Sequence, residues 1–107
     1  MADDIPDKPN FYSSLYTALS RRDVAELYRS LGWQIRKCSW TDYEISCSFA
    51  ELLIKAEGPI LMHGSVACVL ENVETILAPL RTAEVGYSSE CYGENGELLQ
   101  EFKWREG

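Results

Sequence analysis

The hydrophobic positions change period several times along this chain, and each change marks an element. Tyr12, Leu15, Tyr16 and Leu19 fall at i, i+3, i+4 and i+7, and Val24, Leu27, Tyr28 and Leu31 repeat the spacing, the stripe of an amphipathic helix. At ~100° per residue the second stripe is rotated by roughly 120° from the first, so one straight helix cannot bury both. Ser20-Arg21-Arg22-Asp23 supplies S-x-x-D, a helix-start signal. The pattern predicts two short helices, Phe11 to Leu19 and Arg21 to Leu31, the first capped by Asn10 and the second stopped by Gly32.

Beyond Gly32 the period shortens to two. Trp33 to Trp40 is rich in strand formers, and Thr41-Asp42 makes the turn into Tyr43. Tyr43, Ile45, Cys47 and Phe49 alternate with Glu44, Ser46 and Ser48, as in a half-buried strand. The apolar phase then slips to Leu52 and Ile54, which a bulge or bend near Ala50-Glu51 explains. Leu52-Leu53-Ile54 and Ile60-Leu61-Met62 are short apolar runs bounded by Gly and Pro, hence two adjacent strands at the centre of a sheet, covered on both faces.

Asn72 caps a further helix, with Val73, Ile76, Leu77 and Leu80 on one face and Pro79 near its last turn. Residues 85 to 104 close the chain as a hairpin, since Asn95-Gly96 is a strong turn signal. With a two-residue loop, Leu98, Phe102 and Trp104 share a face with Cys91 and Tyr87, opposite Glu90, Glu94, Glu97 and Glu101. A three-residue loop shifts the partner by one and puts Tyr92 in place of Cys91 beneath Leu98. The fold expected is α+β: two N-terminal helices, an antiparallel sheet of about five strands and one helix between strands 3 and 4, in the order ααβββαββ.

Composition adds bounds. A chain of 107 residues with 46% hydrophobic and 11% aromatic content has material for one autonomous core. Residues 1–9 read as a mobile tail and residues 10–107 as a single domain. No signal-peptide pattern opens the chain, and no apolar run approaches the ~20 residues of a membrane span, so a cytoplasmic location is expected. Cys38, Cys47, Cys68 and Cys91 are widely spaced within strand-like runs, consistent with free thiols. With one histidine and no C-x-x-C, no metal site is expected, and the absence of nucleotide-binding and hydrolase motifs leaves no cofactor to expect.

The net charge of −7 is uneven: residues 1 to 20 carry −2, residues 21 to 37 carry +3 and the remainder −8. Arg21, Arg22, Arg29, Arg36 and Lys37, with Tyr28 and Trp33 among them, form a combination that can bind single strands. The acidic remainder argues against nucleic acid and favours a basic partner.

Two further groups of residues are candidates for function. His63, at a strand end before Gly64, has the chemistry of a general base, and Cys68 or Ser65 that of a nucleophile, but no spacing brings them into hydrogen-bond reach. Glu90, Glu94, Glu97 and Glu101 offer an acidic face for docking a basic protein. The expectation is a small acidic cytosolic protein-binding module, of accessory, inhibitor or immunity type, without catalytic activity. The alternative is a small enzyme or ligand-binding protein with a pocket near His63 and Cys68. The apolar runs of the central strands face both sides of the sheet while the helices available to cover them are short, so a homodimer that removes the second apolar face is expected.

Overall fold

A computed structural model describes residues 5–39, 42–56 and 59–105. It contains two helices and one seven-stranded antiparallel sheet. The elements run β1 (Phe11–Tyr16), α1 (Arg21–Arg29), β2 (Gln34–Lys37), β3 (Tyr43–Cys47) and β4 (Ala50–Ala56). Then follow β5 (Ile60–Val66), α2 (Val69–Thr82), β6 (Gly86–Tyr92) and β7 (Leu98–Trp104). In space the strand order is β2-β3-β4-β5-β1-β6-β7. β1 is thus an interior strand; α1 carries the chain to the β2 edge, a four-strand meander returns to β1, and α2 crosses to β6 on its other side.

This corrects the expected ααβββαββ order in three places. The predicted helix Phe11–Leu19 is a strand. Phe11, Ser13 and Leu15 point inward and are buried, while Tyr12 and Tyr16 point outward. The helical spacing of Tyr12, Leu15, Tyr16 and Leu19 therefore mixes both faces of a strand. Ser13 disguised the alternation, because a serine in an inward position reads as surface; its hydroxyl lies 2.6 Å from that of buried Ser89 on β6, so each offsets the other's desolvation.

The second correction concerns the phase slip at Ala50-Glu51. It is not a bulge but a strand boundary: Cys47 pairs with Ala50 across a turn at Ser48-Phe49, dividing the expected strand into β3 and β4. With β1 these changes raise the strand count to seven. The inserted helix accordingly falls between strands five and six. It begins at Val69 behind a left-handed Cys68 (φ 46°), and Asn72 is inside it, donating its side-chain amide to the Ala67 carbonyl at 2.6 Å.

Other local signals have their expected geometry. In the Ser20 capping box, Ser20 Oγ accepts from the Asp23 N–H at 3.1 Å and the Asp23 carboxylate accepts from the Ser20 N–H at 3.3 Å. Val73, Ile76, Leu77 and Leu80 are all buried. The expected turn at Thr41-Asp42, the residues at 57–58 of the central loop and the first four residues of the expected tail lie wholly or partly outside the described residues. Lys8 is described, and its carbonyl accepts a hydrogen bond from Ser65 Oγ at 3.0 Å.

Both helices lie on the same side of the sheet. Their buried residues form one cluster with the inward side chains of β1, β3, β4, β5 and β6, including Phe11, Leu15, Ile45, Leu52, Ile54, Met62 and Cys91, and Phe102 and Trp104 of β7 pack against it partly buried. Tyr28 of α1 joins the helices by donating its hydroxyl to the Ile76 carbonyl of α2 at 2.7 Å. Trp33 then meets both Tyr28 and Phe49 edge-on, at ring-centroid distances of 5.1 and 5.7 Å. The central strands are consequently covered by helices on one face only, not two, and Leu53 and Leu61 are half-buried on the other.

Candidate functional site

Pairing registers define what the uncovered face presents. Side chains of directly paired residues point the same way, so one row crosses all seven strands: Arg36, Glu44, Leu53, His63, Tyr12, Glu90 and Glu101. Arg36 and Glu44 form an ion pair at 3.0 Å at the β2 edge. The centre is apolar and aromatic. The β6-β7 end carries two carboxylates side by side.

The aromatic centre is ordered by ring contacts. His63 and Tyr12 stack with centroids 5.7 Å apart and planes 3° from parallel. Tyr12 then meets Tyr92 edge-on, also at 5.7 Å. Tyr92 donates its hydroxyl to Glu90 Oε1 at 3.0 Å, and that bond, retained best by the neutral phenol beside a carboxylate, raises the Tyr92 pKa. Among the described residues no cation lies within salt-bridge distance of Glu90, whereas Glu101 has Lys103 at 4.0 Å.

Next to this row the face dips. Ser14 pairs with Ser88, Leu61 flanks Ser14 and Lys103 flanks Ser88, so two short side chains sit between longer ones. The result is a concavity of ≈ 380 Å³ lined by Tyr12, Tyr92, Glu90, Leu61, Ser14 and Ser88. That size is near the lower end for ligand pockets.

The four candidate glutamates are divided by the hairpin. Glu90 and Glu101 are paired directly and face outward. Glu94 and Glu97 are at the tip, where the Gly93 N–H bonds to the Glu97 carbonyl at 2.8 Å and the Glu97 carboxylate accepts from the Asn95 N–H at 3.0 Å. Glu97 is therefore engaged in the turn itself. The body of the hairpin keeps the two-residue register, but a bulge after Cys91 brings Leu98 opposite Tyr92, so Leu98 does not share a face with Cys91.

His63 and Cys68 are placed apart in role. His63 belongs to the aromatic row, whereas Cys68 is exposed at the start of α2, and the concavity is lined by neither. Ser65 spends its hydroxyl on the Lys8 carbonyl. Among the described residues no three His, Cys, Asp or Glu side chains converge as a metal site, and no helix is long and apolar enough to cross a membrane. Sequence reasoning missed Tyr12, Ser14, Leu61, Ser88 and Tyr92 as members of a site. Glu90 and Tyr92 stood at i and i+2 on a predicted strand, and that spacing was the one available signal for them.

The fold is thus a two-layer α+β domain with one helix-covered and one open sheet face. No protein-family model, no curated protein and no solved structure matches the chain.

Proposed function

We propose that the chain is a small acidic protein-binding module, of accessory, inhibitor or immunity type, that receives a basic partner on its open sheet face. The observation that carries this reading is the placement of Glu90 and Glu101 beside the aromatic pair of exposed Tyr12 and half-buried Tyr92. Like charges directly opposite on neighbouring strands oppose pairing, and a cationic partner would relieve that repulsion while the rings supply contact area. Aromatic anchors bordered by charge are the usual composition of a protein-recognition patch. With both helices on one side, the open face is also the one the expected homodimer would cover; against a second copy as its occupant stands the net charge of −7 on each chain, which opposes self-association at long range.

The test is an array of lysine- and arginine-rich peptides beside neutral and acidic ones, probed with the wild-type chain and with Glu90→Lys/Glu101→Lys. Capture of basic peptides by the wild type, lost in the double variant with its circular dichroism unchanged, supports the reading. Equal capture by both proteins would sink it. So would sedimentation as a dimer in which the Tyr12 and Tyr92 amides are protected from exchange, since the face would then be occupied by a second copy.

A further inference from the structure

We infer that the concavity between β1 and β6 receives a single arginine side chain of the partner, an inference that rests on the docking reading above and gives its anchor. Three independent features of the concavity converge on a guanidinium. It is lined by Tyr12 and Tyr92, whose rings are held in an edge-on pair at 5.7 Å, and aromatic surfaces attract cations, arginine with the added benefit of planar stacking.

Charge is the second feature. Glu90 lines the concavity, and among the described residues it meets no cation. Its Oε1 is held by the Tyr92 hydroxyl at 3.0 Å, a neutral donor that orients the carboxylate without compensating its charge. Glu101 is directly alongside on β7, so a cation bound here experiences two carboxylates, of which only Glu101 has a cationic neighbour, Lys103 at 4.0 Å. A fork of N–H donors can engage a carboxylate oxygen and still reach a second acceptor, which a point-like ammonium does less well.

Shape is the third. The floor is made by Ser14 and Ser88, paired across β1 and β6, and the volume of ≈ 380 Å³ leaves room for one long side chain. The serine hydroxyls add acceptors for the remaining N–H groups. Leu61, next to Ser14, offers an apolar wall to the methylene stem, the ordinary way a long basic side chain is accommodated.

The experiment uses the full chain labelled with nitrogen-15 and three blocked amino acids as probes: arginine, lysine and citrulline, the last having the shape of arginine without its charge. The arginine probe is expected to shift the amides of Tyr12, Ser14, Ser88 and Glu90 saturably, the lysine probe to bind these sites more weakly, and citrulline to leave them in place. Ser88→Leu, which fills the floor, and Glu90→Gln, which removes the charge without changing shape, should each abolish the arginine shifts. Should Ser88→Leu fail to fold, Glu90→Gln decides alone. Equal shifts with citrulline, or arginine shifts that survive in Glu90→Gln, would overturn the proposal. Basic-peptide capture that persists in Ser88→Leu but is lost in Glu90→Lys/Glu101→Lys would overturn the arginine pocket while leaving the docking reading standing; capture unaffected by either variant would remove both.

Discussion

Glu90 and Glu101 face each other directly across β6 and β7, a pairing that costs stability at low ionic strength. Opposed like charges on neighbouring strands are destabilising, and salt screens the interaction between exposed groups. Glu101→Gln is therefore expected to raise the urea midpoint at low salt. The gain should shrink as salt is added, because the wild type alone has a repulsion to screen. The same substitution should weaken capture of basic peptides. A lower midpoint in Glu101→Gln at low salt would mean that its contact with Lys103 outweighs the repulsion.

Among the described residues the phenol of Tyr28 is the one hydrogen-bond donor that reaches from α1 to α2, at 2.7 Å from the Ile76 carbonyl. Burial pushes its pKa well above the ordinary tyrosine value, and Tyr87 nearby adds a smaller rise. Tyr28→Phe keeps the ring against Trp33 and removes only the hydroxyl. A loss of about 1 kcal/mol is expected for a neutral hydrogen bond at a buried site, read as a lower denaturation midpoint with an unchanged slope. A loss beyond about 3 kcal/mol would show that the hydroxyl positions α2 rather than adding one bond.

How much of this architecture could be read in advance depended on whether local signals and tertiary context agreed. The Ser20-Asp23 box was legible because a cap is a local interaction: four consecutive residues contain it. The body of the β6-β7 hairpin was legible because alternation over many residues outweighs uncertainty at the turn. β1 was not, since its inward serine is polar and the partner that makes burial tolerable, Ser89, is far along the sequence. The β3-β4 turn was hidden for another reason: Ser48-Phe49 contains neither Gly nor Pro, and only the slip of apolar phase betrayed it. The site inherited these limits. Glu90 and Glu101 could be paired from the hairpin alone, but Tyr12 and Ser14 come from the strand read as a helix, so the aromatic and serine parts of the concavity could not be assembled.

Gly64 on β5 tests how closely β4 and β5 approach. A Cβ there would lie 2.1 Å from the Glu51 carbonyl oxygen and 2.9 Å from the Leu52 Cα, both backbone atoms that cannot rotate away. Gly64→Ala is expected to cost ~1–3 kcal/mol or more, the range for forced backbone shifts in a packed region. Gly96 is different: nothing lies near its missing Cβ, but its φ of +80° is one that side-chain-bearing residues rarely adopt. Gly96→Ala should cost about 1 kcal/mol, and Gly96→Asn less, because asparagine tolerates left-handed backbone better. Equal losses for the two alanine variants would contradict the steric argument at Gly64.

The four cysteines should be distinguishable by reactivity, and one of them by pH. Cys38 and Cys68 are exposed, Cys47 is intermediate and Cys91 is buried, so two thiols are expected to react rapidly with a colorimetric disulfide reagent at neutral pH. Cys47 should follow more slowly, its pKa raised by burial although backbone N–H groups of Phe49 and Ala50 oppose the rise. Cys91 should react only as the chain unfolds. Burial pushes its thiol up to about 11 from an ordinary 9.0, which makes the neutral thiol the form the folded state prefers. For an acid raised on folding, the contribution to stability is complete below the unfolded value and is lost as pH rises through the folded one. The urea midpoint should accordingly fall between about pH 9 and pH 11, and in Cys91→Ala it should fall less steeply over that interval. Tyr28, raised by burial from an ordinary value of 10.0, also lowers stability in the upper half of this window, but it is present in both proteins, so the difference between their pH profiles isolates Cys91. Parallel profiles, or rapid labelling of a third and fourth thiol in the native protein, would show that Cys91 is open to solvent beneath α2.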